Sequence, residues 1–79
     1  MTTKQIDQLK RLAIITMTSD FLNDQDKINR YMEIMDFLKT ARDLFLIDEK
    51  KRDKISKEIG TAAMDAHLEW IKKKEEKTA

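Results

Sequence analysis

The 79 residues contain no proline and one glycine, Gly60. A chain so short of turn formers cannot punctuate a series of hairpins, because tight β-turns draw on glycine for positive φ and on proline for a preset φ. Helices joined by brief polar breaks remain, and the apolar spacing agrees with them. Ile6, Leu9, Ala13, Met17 and Phe21 recur at three- and four-residue steps, which places them on one helical face. Thr2 and Gln5 have the spacing of a capping box, so the first helix is predicted over residues 3 to 22. Leu12, Ile14, Ile15 and Leu22 lie off that stripe, and a helix apolar around so much of its circumference is expected to be covered on more than one side.

Ser19, Asp20 and the run Asn23-Asp24-Gln25-Asp26 form the clearest break, since short polar side chains compete for backbone hydrogen bonds and favour caps. A second helix is predicted over 24 to 47, its acidic first turn matched to the positive end of the helix dipole. Its stripe is Ile28, Tyr31, Met35, Leu38 and Phe45, with Ile34, Ala41 and Leu44 beside it and Met32 and Phe37 widening it. The charged run from Asp48 to Asp53 follows, and Asp48 can cap a third helix over 49 to 75, leaving 76 to 79 as a frayed tail. One unbroken helix from 24 to 75 would leave its broad stripe without a partner in the chain, which favours a short connection. In the third segment Ile55, Ile59, Ala62, Ala66 and Trp70 share a face and Ala63 extends its edge. The pattern predicts an all-α fold, a small three-helix bundle forming one domain, whose modest core pairing of two copies can complete.

Composition narrows the function classes. Without cysteine there is neither a disulfide framework nor a thiolate metal site, which fits a reducing, cytoplasmic setting. The longest apolar run, Leu12 to Ile15, is too short for a signal-peptide core or a membrane span, so no membrane association is expected. Sixteen basic residues against fifteen acidic ones give a formal charge of +1, without the basic excess of a non-specific nucleic-acid binder. His67 is the one histidine, and its neighbours Asp65 and Glu69 do not share its face; Ser19 and Ser56 have no base arranged beside them. The expectation is therefore a non-enzyme with no catalytic residue, no metal and no cofactor.

Two readings of the third segment compete. Residues 52 to 71 resemble a helix-turn-helix in the order Ile55, Ser56, Ile59, Gly60, with Lys50, Lys51, Arg52, Lys54 and Lys57 as electrostatic support. Against it, the would-be recognition helix carries Asp65 and Glu69 toward phosphate and offers no arginine, asparagine or glutamine to base edges. The favoured reading is a second apolar stripe, Met64, Leu68 and Ile71, on the side away from Ile55, Ile59, Ala62 and Ala66 and flanked by His67 and Trp70. Burying three such side chains contributes on the order of 5 kcal/mol before association costs. The chain thus reads as a small protein-interaction module of regulator, inhibitor or immunity type, its partner another protein or a second copy of itself.

Overall fold

The computed structural model describes residues 2–44 and 46–78, with side chains through residue 76. Three helices follow one another: α1 (Thr3–Met17), α2 (Asp24–Asp43) and α3 (Glu49–Thr78). Each start has a local cause. The Gln5 N–H donates to Thr2 Oγ1 at 3.2 Å while the Thr2 N–H donates to Gln5 Oε1 at 2.8 Å, closing the capping box of α1. Asn23 Oδ1 accepts from the Asp26 N–H at 2.8 Å, and Asp48 Oδ1 from the Lys51 N–H at 2.7 Å, so both later helices begin on an acceptor side chain.

The helix ends differ from the pattern-based bounds. α1 stops at Met17, five residues before position 22, because Thr18 Oγ1 donates to the Ile14 carbonyl at 2.8 Å and Ser19 Oγ accepts from the Phe21 N–H at 3.2 Å. Phe21 consequently leaves the helical stripe and is 97% exposed. α2 ends at Asp43, where the Leu46 N–H reaches back to the Ala41 carbonyl at 2.9 Å and satisfies a helix-end acceptor. Arg42 then bridges to Glu49 at 3.6 Å, tying the end of α2 to the start of α3. The expected frayed tail at 76–79 is instead helical through Thr78, and Ala79 lies outside the described residues. Phe45, expected on the α2 stripe, lies outside them as well.

α1 and α3 run in the same direction, with α2 antiparallel between their ends. Thr3, Ile6 and Lys10 line a groove with Lys51, Lys54 and Glu58, while the far end of α1, at Met17, meets His67. The core is Ala13, Ile34, Leu38, Ala41, Ile47, Ile55, Ile59 and Ala63, with Ile6, Leu9, Met17, Tyr31 and Met35 packed around it. Leu38 and Ile59 are its largest fully enclosed side chains. On α2 the buried line is therefore Lys27, Ile34, Leu38 and Ala41, rotated from the stripe that apolar residues alone predict. α1 touches both other helices, yet Leu12 and Ile15 remain exposed, so it is flanked on two sides and not enclosed. Among the described residues no helix is long and apolar enough to cross a membrane.

Gly60 faces the tip of an α2 side chain: a Cβ there meets Tyr31 Oη at 3.1 Å. Two opposing effects follow for Gly60→Ala, a helix-propensity gain of about 1 kcal/mol and the displacement of a half-buried phenol tip. Urea unfolding is expected to show the full gain only in a Tyr31→Phe background and a smaller one in the wild type. Equal gains in both backgrounds would show that the hydroxyl does not limit the approach. Leu38→Ala, which opens a cavity at the centre, is expected to lower stability by about 3 kcal/mol in the same assay.

Candidate functional site

The second stripe of α3 does not stand alone. Met64, His67, Trp70 and Ile71 line a pocket of about 460 Å³ together with Met17, Asp24, Lys27 and Ile28, so the start of α2 supplies its opposite wall. Leu68, one turn beyond Met64, does not line the pocket. Met64, Leu68, Ile28 and Met32 each keep between 52% and 57% of their surface open, whereas His67, Trp70 and Ile71 are half-buried. Met32 follows Ile28 by one turn on the same exposed side of α2. Folding leaves these large apolar groups exposed because the buried line of α3, Ile55, Ile59 and Ala63, already occupies the side that meets α1 and α2.

The floor of the trough is polar and aromatic. His67 Nδ1 lies 2.8 Å from the Met17 carbonyl; since a carbonyl only accepts, that nitrogen carries the proton. A side chain of α3 thereby caps the end of α1, satisfying one of the carbonyls that a helix terminus leaves unpaired. The His67 ring stacks on Trp70 with centroids 5.7 Å apart and planes at 24°. Lys27 Nζ lies 3.7 Å from the Trp70 ring centroid and Lys74 Nζ 4.1 Å from it, and Lys74 also pairs with Asp20 at 3.1 Å. Lys27 as a residue is only 2% exposed, and its ammonium, at the pocket, lies over the negative face of the indole, which offsets part of the hydration that the burial of its stem removes.

Of the expected stripe and its flanks, Met64, His67, Trp70 and Ile71 come together in one pocket and Leu68 stays outside it, while the α2 wall is not legible in the sequence. Periodicity puts Ile28 on the core stripe and Met32 on its flank, because which flank of α2 faces α3 is a non-local fact. Lys27 was overlooked because it is charged. Its signal was positional: it precedes Tyr31, Ile34, Leu38 and Ala41 on the same helical line.

The basic set reads differently in three dimensions. Lys50, Lys51, Lys54 and Lys57 are exposed, but Arg52 is half-buried and pairs with Asp53 at 2.8 Å. Lys50, Lys51 and Lys54 share the α1/α3 groove with Asp7, Asp48 and Glu58, so the surface there is mixed in sign. The helix-turn-helix reading of 52–71 is corrected: α3 is continuous from Glu49 to Thr78, and Gly60 lies inside it against Tyr31 with no turn. The chain matches no protein-family model, no curated protein and no solved structure at a significant level, so the functional reading rests on the geometry.

The Lys27 and Trp70 pair yields a direct test. Lys27→Met keeps the length of the side chain and removes a buried charge, so its effect on unfolding free energy is expected to be neutral to stabilising. Trp70→Leu leaves the ammonium without its aromatic face and is expected to destabilise by about 2 kcal/mol, and by clearly less once Lys27→Met is also present. Additive effects in this cycle would mean that the ring and the ammonium do not interact.

Proposed function

We propose that this chain is a non-catalytic protein-interaction module that receives an amphipathic helix of another protein in the trough between α2 and α3. The observation that carries the reading is the half-open apolar pair Ile28 on one wall of the pocket and Met64 on the other, with Met32 and Leu68 exposed one turn along their own helices. An apolar groove between two helices matches the i, i+3, i+4, i+7 anchors of an amphipathic helix. Methionine suits this role, because its unbranched, polarisable side chain adapts to differently shaped partners at little conformational cost. Two of the four methionines after Met1 support this, since Met17 and Met64 line the pocket. Trp70 and His67 form a floor fixed by contacts to α1 and α2, and a tryptophan at the centre of such a surface is the residue type that most often dominates binding energy.

The test uses Met64→Lys/Leu68→Lys, two substitutions at exposed positions that leave the buried line of α3 untouched. Wild-type chain immobilised in native lysate is expected to retain a partner that the double variant does not, with affinity for the purified partner reduced at least about tenfold. Far-UV circular dichroism is expected to be the same for both. Equal recovery of the partner by wild type and folded variant would sink the reading.

A further inference from the structure

Lys27 presents a charge that the fold does not answer. It stands on the buried line of α2 with Ile34, Leu38 and Ala41, where hydropathy calls for an apolar side chain. Among the described residues its Nζ forms no hydrogen bond and no ion pair, and the contact it makes is with the Trp70 ring at 3.7 Å. Lys74, over the same ring, differs, since Asp20 pairs with it at 3.1 Å. Asp24 stands one turn before Lys27 and lines the same pocket, yet the two do not pair. No side-chain nitrogen or oxygen among the described residues is sealed from solvent without a hydrogen-bond partner, so the Lys27 ammonium opens into the pocket that it lines. An ammonium has more donors than one ring face can engage, which leaves donors directed into the pocket with no protein acceptor.

We infer that this pocket binds a small monocarboxylic acid with an apolar body, its carboxylate on Lys27 Nζ and its hydrocarbon against Met17, Ile28, Met64 and Ile71. A volume of about 460 Å³ is that of a small-ligand site, and apolar walls with a few convergent polar groups are what such a site needs. The head group follows from charge. A carboxylate accepts charge-assisted hydrogen bonds from an ammonium, and a partly desolvated setting strengthens them. One unanswered cation matches one negative charge, whereas a phosphate dianion is repelled more strongly by Asp24 and finds no guanidinium in the pocket to grip it. A lysine that interrupts a buried apolar line without gaining an ion pair is the kind of local departure that functional sites carry. The inference concerns the pocket alone and does not rest on a helix docking above it.

Trp70 is the only tryptophan in the chain, so its fluorescence reads this pocket directly. Octanoate and octanamide share a hydrocarbon body and differ in the head group, and octanoate is ionised at about pH 7.5. Titrated into the full chain at low ionic strength, octanoate is expected to change the Trp70 emission saturably and to bind at least about tenfold tighter than octanamide. Lys27→Met, whose fold circular dichroism checks, is expected to bring octanoate down to the octanamide level. Asp24→Asn, at an exposed position, is expected to tighten octanoate about threefold by removing a like charge. The absence of a saturable response to octanoate, or equal affinities for the acid and the amide, overturns the inference. So does a folded Lys27→Met that binds octanoate as tightly as the wild type. Should that variant fail to fold, an unchanged or weaker octanoate affinity in Asp24→Asn overturns it by itself.

Discussion

Alanine at the helix contacts is the constraint from which the rest follows. Ala13 on α1, Ala41 on α2 and Ala63 on α3 are all buried, and Gly60 admits the Tyr31 phenol where a Cβ would press on it. The distance between packed helices is set by the side chains at the contact, so small residues at these points draw the three helices together. A narrow bundle has little interior, and among the described residues Leu38 and Ile59 are the largest side chains wholly enclosed. Chains of this length already bury a modest share of their surface. The apolar groups that the narrow core cannot hold are displaced to the grooves beside the contacts.

That displacement is not uniform. The groove between α1 and α3 is lined by charges of both signs, with Asp7, Lys10, Lys54 and Glu58 over Ile6 and Ile55. The two grooves flanking α2 are apolar, with Leu12, Phe37 and Leu46 on one side and Ile28 and Met64 on the other. α2 is therefore the helix whose both shoulders are greasy, and its weak segregation of apolar from polar residues has a structural cause: the apolar side chains lie on two flanks with the buried line between them. An averaged amphipathic signal cancels in such a helix, although each flank by itself is well defined.

This geometry explains which features the sequence revealed. Helix starts were readable because caps are local: the Thr2/Gln5 box and the Asp48 acceptor involve residues three apart. Helix ends were less so. The terminus of α1 is held partly by His67, fifty residues away, and no window around Met17 contains that information. The exposed pair Met64 and Leu68 could be read from 3.6-residue periodicity, since the opposite side of α3 was visibly reserved for Ile55 and Ile59. Ile28 and Met32 could not be joined to that pair in advance, because their alignment depends on the rotation of α2 about its axis. That rotation places Lys27 on the buried line, where hydropathy alone would never put a lysine.

Lys27 also clarifies how a methionine-lined surface can be adaptable without being loose. The pocket walls are flexible side chains, but beneath them Trp70 is held by His67 on one contact and by the Lys27 and Lys74 ammonium groups on others. His67 carries the linkage to the end of α1, Lys27 to the first turns of α2, and Lys74 to Asp20 in the connection between them. All three chain segments that meet at this end of the bundle thus converge on one indole ring. For the proposed docking role, a fixed floor reduces the ordering entropy lost on association, while unbranched methionine walls accommodate differently shaped partners. Rigidity and tolerance are assigned to different layers of the same trough, which is the arrangement the proposed docking role calls for.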